Sequence, residues 1–307
     1  YNIRIMIEKL TIEAIQLLKN LIQTPSFSSK EDQTAFLIET WMKNHGIVYQ
    51  RQHNNVWATN KNFDPAKPNL LLNSHHDTVQ PNKAYTKDPF TAIEEDDKLY
   101  GLGSNDAGGC LVSLLATFTY FYSHEDLKYN LIMVASAEEE SSGKNGLNSM
   151  LNVIPEIDVA IIGEPTLMNM AIAEKGLVVF DVVINGKPSH AAHTNSDNPI
   201  YKAIPVLQAF RDFKFEKTSD TLGDVKLTVT QIQAGVQHNA VPSQVDLVVD
   251  VRVNDCYTNA EIVEILQHDL PQITITPRST RLNSSKISLE HPLVKAGINL
   301  KRQTYGS

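Results

Sequence analysis

The sequence is poor in cysteine and has no excess of basic residues. Its 307 residues include two cysteines, Cys110 and Cys256, which lie far apart and outside any Cys-x-x-Cys spacing. We therefore expect neither a disulfide framework nor a thiolate metal site, and the low cysteine content suits a reducing cytoplasm. Lysine and arginine number 27 against 35 acidic residues, so the formal net charge is -8. This balance argues against nucleic acid as a partner.

Long apolar runs are also missing. No window approaches the run of about 18 apolar residues that indicates a membrane-spanning helix. The N-terminal stretch "YNIRIMIEKLTIEAIQLLKN" carries charges throughout and lacks the apolar core of a signal peptide. A soluble protein with no membrane partner is expected, and 307 residues are enough for two domains.

The first half of the chain alternates short apolar segments with helical ones. The segments "NLLLN", "NLIMVAS" and "DVAIIG" are nearly continuous apolar runs, which is typical of strands buried on both faces. They predict an α/β domain with a mixed, largely parallel sheet flanked by helices. Two helices are predicted ahead of the sheet, and "SSKE", from Ser28 to Glu31, has the form of a capping box before the second.

A different pattern begins near residue 175. "GLVVFDVVING" and "SQVDLVVDVRVN" alternate with period two, as antiparallel strands with one solvated face do. "NPIYKAIPVLQAFRDF" and "TNAEIVEILQHDL" between and after the strands have helical patterns. An inserted α+β sandwich is therefore predicted over 175–286, and 1–174 with 287–307 would form the other domain.

Acidic and imidazole side chains follow the predicted strands of the first domain. His75 and Asp77 end the first strand, "AEEE" ends the second, and Glu164 follows the third. Asp106 lies in the glycine-rich segment "YGLGSNDAGG", which matches neither the dinucleotide fingerprint nor the Walker pattern. Because ligands of open α/β sheets bind beyond the carboxyl ends of the strands, these side chains can converge.

Each of these features has a purely structural explanation when taken alone. A single histidine after a strand is most often a hydrogen-bonded or surface residue, and a run of glutamates is usually a solvated turn. Their joint placement favours a metal site instead. Imidazole and several carboxylates without a thiolate suit Zn²⁺, and so many carboxylates suggest two ions that share one bridging group. Two such ions can activate water for attack on a carbonyl, which is hydrolytic chemistry.

Five motifs carry a resemblance that covers essentially the whole chain. In this order and spacing, "SHHDTV", "YGLGSNDAGG", "ASAEEESSG", "IIGEPT" and "GKPSHAAH" resemble the zinc-dependent exopeptidase and deacylase family of acetylornithine deacetylase, succinyl-diaminopimelate desuccinylase and aminoacylase. "ASAEEESSGKNGL" is most similar to acetylornithine deacetylase. The resemblance implies deacylation of an N-acyl amino acid, of the acetylornithine type found in arginine biosynthesis. A desuccinylase, a di- or aminopeptidase of the same family and an inactive binding homologue are the alternatives.

The resemblance also implies roles for residues of the first domain. Two Zn²⁺ ions per subunit, replaceable by Co²⁺, would be held by four ligands: His75, Asp106, Glu140 and Glu164, with Asp106 as the bridge. Asp77 would orient the imidazole of His75, and Glu139 would be the general base. The peptide bond after Asp106 is expected to be cis. His76 stands where the family usually has a small residue, and its side chain is expected on the opposite face of the strand.

The second domain resembles the lid and dimerisation domain of the family. His190 matches a histidine that reaches the partner subunit's active site and stabilises the oxyanion, so a homodimer through 175–286 is expected. Asn239 and Arg252 match positions that hold a carboxylate or carbonyl of the substrate. His193 and His238 are either part of this set or structural neighbours. The family's last metal ligand is a histidine that would follow Ser307; without it, the second metal site would be incomplete.

Overall fold

The computed structural model describes residues 2–307 and divides into two compact units, Tyr1–Pro165 and Thr166–Ser307. The division lies nine residues before the predicted boundary at 174/175, and the tail 287–307 groups with the second unit. In the tail, strand Thr304–Gly306 pairs with strand Met170–Glu174. Both strands are predicted from the sequence to belong to the first domain, and both lie in the second compact unit. The predicted domain limits remain a prediction.

The first unit contains a five-stranded sheet and the helices that cover it. Its elements are α1 (Asn2–Ile22), α2 (Asp32–Asn44), β1 (Gln50–Gln52), β2 (Asn55–Thr59), β3 (Asn69–His75), β4 (Ile93–Glu95), β5 (Lys98–Tyr100), an irregular turn (Ser104–Gly108), α3 (Gly109–Phe121), β6 (Asn130–Ser136), α4 (Leu147–Met150) and β7 (Val159–Ile162). The strand order is β1-β2-β6-β3-β7, and β4 pairs with β5 as a separate hairpin.

The sheet of the first unit is mixed, as predicted. β3 runs parallel to both β6 and β7, whereas β2 is antiparallel to β6 and to β1. Both faces are covered: Leu131 and Met133 of β6 face a core formed with the first three helices, and Ile132 and Val134 face a second core with Met150 of α4. This explains why the strands are apolar on both faces, and the predicted fold class is confirmed.

The second unit is built around an antiparallel sheet. Its elements are β8 (Met170–Glu174), β9 (Gly176–Asn185), β10 (Ser189–His190), α5 (Pro199–Asp212), β11 (Lys226–Ala234), β12 (Ala240–Val241), β13 (Gln244–Val253), α6 (Asn259–Asp269), β14 (Thr274–Pro277), β15 (Ser285–Lys286), α7 (Pro292–Asn299) and β16 (Thr304–Gly306). The main sheet has the order β11-β13-β9-β14, and α5 and α6 contribute Phe210 and Leu266 to its buried face. The predicted α+β sandwich is confirmed.

Two expectations about helices can be compared with the structure. The capping box predicted at Ser28 is wrong, because α2 begins only at Asp32 and no side chain caps it. The Ser28 hydroxyl instead donates to Asp77, and the Glu31 carboxylate accepts the backbone N–H of Ser29. Across residues 2–307, no helix has both the length and the apolar character that crossing a membrane requires.

Candidate metal centre

The predicted ligands of the first unit meet at the carboxyl ends of three neighbouring parallel strands. β3 ends at His75, which pairs with Ser136 at the end of β6, so Glu139 and Glu140 follow directly beside it. Glu164 follows β7, which is held to β3 by the N–H of Gly163 donating to the carbonyl of Asn73. The parallel register therefore brings together residues that are far apart in the sequence.

A compact group of potential ligand atoms lies at this edge. One imidazole nitrogen of His75 and one carboxylate oxygen each of Asp106 and Glu140 lie within 4.8 Å of one another. His75 Nε2 is 3.1 Å from Asp106 Oδ1 and 3.9 Å from Glu164 Oε1. Glu139 Oε2 lies 3.9 Å from the same nitrogen. The structure thus brings together all five of the residues predicted as metal ligands or general base.

Asp77 connects the ends of β3 and β6. Its side chain is fully buried, and its two carboxylate oxygens accept the backbone N–H groups of Glu139 and Glu140 at 3.0 and 3.1 Å. His75 Nδ1 lies 2.9 Å from the backbone carbonyl of Asp77 and 3.4 Å from its carboxylate. Because only acceptors face Nδ1, that nitrogen carries a proton, and Nε2 is the ring nitrogen that faces the acidic cluster.

Asp106 reaches the cluster from an irregular turn before α3. The Asp106–Ala107 peptide bond is cis, as predicted, and both residues have non-helical φ/ψ angles. The turn packs too closely for side chains, since a Cβ at Gly108 would lie 2.6 Å from the carbonyl oxygen of Gly103. Gly103 itself has a φ of 73°, a conformation that favours glycine. These glycines shape the turn that presents Asp106.

The cluster places four carboxylates, those of Asp106, Glu139, Glu140 and Glu164, around the single imidazole of His75. Burial lowers the pKa of His75, but its hydrogen bond to Asp77 and the surrounding carboxylates outweigh this effect and raise the pKa to about 10. Burial raises the pKa of Glu164 to about 7, an effect that His75 opposes and Glu139 reinforces. Burial likewise raises the pKa of Glu140, with Asp106 adding to the shift. A site of this kind favours a cation among the carboxylates.

His76 lies outside the cluster although it neighbours His75 in the sequence. It is buried, and its two ring nitrogens lie 2.9 Å from Thr34 Oγ1 and 2.9 Å from the carbonyl oxygen of Asn54. Burial lowers the pKa of His76 to about 4, so the ring is neutral at pH 7. Its contacts are those of a structural histidine, in agreement with the expectation that its side chain points elsewhere.

Most of the residues predicted in the second unit lie at exposed positions around β10 and β12. His190 of β10 pairs with Ala240 of β12, and Asn239 accepts the N–H of Ala191 through its backbone carbonyl at 2.9 Å. His190 and Asn239 therefore lie close together, and His193 packs against His190 with 5.8 Å between ring centroids. His238 is exposed beside Asn239. Arg252 lies toward the other end of β13, opposite Leu177 of β9, and pairs with Asp250 at 2.9 Å.

Two polar residues beside the cluster are missing from the sequence-based set. The Ser28 hydroxyl donates to Asp77 Oδ2 at 2.7 Å across 49 positions of sequence. Glu31, fully buried, accepts the backbone N–H of Glu138 at 3.3 Å. The capping-box pattern drew attention to both residues, but it assigned them to the helix terminus. Nothing in the local sequence indicates that their partners follow β3 and β6.

The family model for peptidase family M20/M25/M40 matches residues 71–296, which include every predicted site residue. The chain belongs to this family. The predicted enzyme class is thereby confirmed: M20 proteins of this kind are hydrolases that act on amide bonds.

Curated relatives of this M20 protein include succinyl-diaminopimelate desuccinylases. The enzyme from Orientia tsutsugamushi (strain Ikeda) is 27% identical over 279 residues, which are 85% of this chain and 72% of the relative. That from Wigglesworthia glossinidia brevipalpis is 27% identical over 259 residues, covering 78% and 68%. These relatives do not support the expected nearness to acetylornithine deacetylase, or the associated place in arginine biosynthesis.

Solved M20 structures share the fold. A metallo-carboxypeptidase of the family from Sulfolobus solfataricus has a TM-score of 0.74 at 19% identity, covering 96% of this chain and 86% of that one. A dinuclear metal-binding peptidase of the family from Bacillus subtilis has a TM-score of 0.70 at 16% identity, covering 98% and 83%. At these identities the likeness concerns the fold.

Proposed function

We propose that this M20 hydrolase releases the succinyl group from an N-succinyl amino acid, using Zn²⁺ held at the ends of β3 and β6. The observation that carries the metal-dependent chemistry is the convergence of His75, Asp106 and Glu140, whose ligand atoms lie within 4.8 Å of one another. The similarity to desuccinylases from two organisms supports the choice of acyl group.

The donor set fits zinc. His75 offers Nε2, which faces the carboxylates and would release its proton on binding a metal ion, and Asp106, Glu140 and Glu164 offer oxygens. Such ligands suit Zn²⁺, and Co²⁺ shares the preference. Asp106 would be the bridge if two ions bind, a proposal supported by its distance of 3.1 Å from the imidazole and its place in the same group as Glu140. Bound metal supplies Lewis acidity that polarises the amide carbonyl and acidifies a water molecule.

Glu139 is the proposed general base. Its carboxylate is half-exposed and lies 3.9 Å from His75 Nε2, close to the cluster and open to a substrate. Its backbone N–H is fixed by Asp77, which limits the positions its side chain can reach. A carboxylate in this place can accept a proton from the attacking water and pass it to the leaving amine. Asp77 is the proposed orienting partner of His75, because Nδ1 faces its carbonyl and carboxylate.

The second unit is proposed to be the lid and dimerisation domain, over 175–286. His190 would stabilise the oxyanion in the partner subunit's site. Asn239, whose backbone carbonyl accepts the N–H of Ala191 next to His190, would contact the substrate beside it. Arg252 would bind a substrate carboxylate, for which a planar guanidinium is well suited. A succinyl group carries such a carboxylate and an acetyl group does not.

The proposed function is tested with a matched panel of substrates. The purified protein, loaded with Zn²⁺ or Co²⁺, is assayed against N-succinyl and N-acetyl derivatives of the same diamino acids and against dipeptides. We expect the N-succinyl compounds to have the highest kcat/KM and metal analysis to find zinc. A higher kcat/KM for the N-acetyl compounds would mean that the released group is acetyl and not succinyl. A higher kcat/KM for dipeptides would mean that the protein is a peptidase. Absence of metal and of turnover would contradict the proposed chemistry.

A further inference from the structure

We propose that the segment Ser28–Glu31, before α2, is a positioning element of the metal centre: Ser28 acts through Asp77, and Glu31 acts through the backbone of Glu138. This inference rests on the proposed function, since it concerns the same metal site. Neither residue touches the cluster itself. Ser28 instead contacts the segment that follows β3, and Glu31 contacts the segment that follows β6.

Ser28 supplies a donor that the Asp77 carboxylate needs. The Asp77 side chain is fully buried, and its Oδ2 accepts the Ser28 hydroxyl at 2.7 Å as well as the N–H of Glu140 at 3.1 Å. A buried carboxylate is stable only when its oxygens have donors.

The backbone holds Ser28 in place for this contact. The chain around Phe27 forms a parallel bridge with Thr78, and the N–H of Thr78 donates to the carbonyl of Ser26 at 2.9 Å. The segment is thereby fixed along the residues that follow β3. The hydroxyl of Ser28 is directed at Asp77 by this pairing and not by a flexible side chain alone.

Glu31 fastens the other loop. Its Oε1 accepts the N–H groups of Ser29 at 2.5 Å and Glu138 at 3.3 Å, and its Oε2 accepts the side-chain amide of Asn54 at 2.8 Å. Both oxygens therefore act as acceptors, which a carboxylate can provide and a glutamine amide cannot. Glu138 immediately precedes the general base, so a shift of its backbone moves Glu139 and Glu140.

Both contacts reach the same short stretch of chain. Asp77, held by Ser28, accepts the N–H groups of Glu139 and Glu140, and Glu31 accepts that of Glu138. Three consecutive N–H groups of the ligand loop are thus fixed by two buried carboxylates. Such outer contacts control ligand geometry, and their removal typically costs about 10–100-fold in metal affinity or activity.

The experiment compares Ser28→Ala with Ser28→Thr, which keeps the hydroxyl. Zinc affinity is measured by competition with a chelating dye, the unfolding temperature is measured on metal-free protein, and kcat and KM are measured on the loaded enzyme. We expect Ser28→Ala to bind zinc about tenfold more weakly and to lose kcat more than KM, with Ser28→Thr close to wild type. Ser149→Ala, which removes a hydroxyl bonded at 2.7 Å to the carbonyl of Gly146, is the matched control and should bind zinc normally.

Glu31→Gln provides a second test, because it replaces one acceptor oxygen with a donor while keeping the shape. We expect a loss of zinc affinity like that of Ser28→Ala. Unchanged zinc affinity in both variants would overturn the proposal, as would a fall in the unfolding temperature of metal-free protein without any change in zinc affinity. Failure of the proposed function would appear in the wild-type protein, as absent zinc binding or absent turnover. Failure of the positioning role would appear only as variants that bind zinc like the wild type.

Discussion

The two sets of predicted functional residues are held in different ways. In the first unit, His75 and Asp77 are buried and have several partners that come from distant parts of the chain. In the second unit, His190, Asn239 and Arg252 are exposed, and their contacts are with residues close to them in sequence or across one strand pair.

This difference indicates which tasks each unit can perform by itself. A cluster of carboxylates around one imidazole needs a rigid frame, because each ligand must keep its place against repulsion from the others. The exposed residues have no such frame within their own unit, which suits groups that act on a molecule or a subunit that arrives from outside. We therefore expect substitutions of the proposed ligands and their buried partners in the first unit to change metal binding, and substitutions of the exposed residues in the second to change turnover or substrate affinity alone.

The largest effect is expected for Glu139→Gln. Loss of the general base should lower kcat by about 10²–10⁴, while zinc content stays near that of the wild type. Turnover is measured with the best substrate of the panel, and metal content by elemental analysis. Glu125→Gln, at an exposed position of the same unit, is the matched control. Loss of zinc in Glu139→Gln would make this residue a ligand and would shift the assignment by one position.

The next effect tests whether the exposed residues act across subunits. His190→Ala should lose about 10²–10³ in kcat, as expected for removal of one oxyanion donor, and keep its zinc. Mixing it with Glu139→Gln should restore some activity, because a hybrid dimer contains one site in which both residues are intact. His268→Ala, at another exposed histidine of the second unit, should be normal.

Controls separate complementation from other causes of recovery. Each variant is assayed unmixed, and a second mixture is prepared after chemical cross-linking, which prevents exchange of subunits. A normal His190→Ala enzyme would mean that His190 is a surface residue without a catalytic role. Absence of rescue in exchanging dimers, together with a monomeric mass by light scattering, would contradict the proposed dimer.

Local pattern was enough to predict the main elements and the convergence of polar side chains at the strand ends, whereas the assignment of individual residues as ligands came from the family resemblance. Strands that are apolar on both faces give a parallel sheet, and this sheet brings His75, Glu140 and Glu164 to one edge because parallel strands end together. The pattern failed where polar partners are far apart in sequence. "SSKE" has the form of a capping box, yet Ser28 pairs with Asp77, 49 positions away. Periodicity describes which face of an element is buried and carries no information on such pairs.

A smaller effect, confined to the metal, is expected for Asp77→Asn. The amide would place a donor against the N–H groups of Glu139 and Glu140 or the hydroxyl of Ser28, so zinc affinity should fall by about 10–100-fold. Competition with a chelating dye measures this change, and Asp126→Asn, at an exposed position, is the control. Unaltered zinc affinity would show that metal binding does not depend on the Asp77 carboxylate. The proposed difference between the buried residues of the first unit and the exposed residues of the second would then be contradicted.

The smallest effect is expected for Arg252→Ala, which tests the second unit without touching the metal. Arg252 is half-exposed, with 52% of its side chain accessible, and its pair with Asp250 lies on the surface of β13. Loss of such an exposed pair should change the free energy of unfolding by less than about 1 kcal/mol.

If Arg252 binds the succinyl carboxylate, KM for an N-succinyl substrate should rise about tenfold, as expected for a lost hydrogen bond to a charged group, with kcat and zinc affinity unchanged. An N-acetyl substrate lacks that carboxylate and should show no rise, which makes it the internal control. Equal changes for both substrates would place Arg252 at another part of the substrate, and no change for either would leave it as a surface residue paired with Asp250.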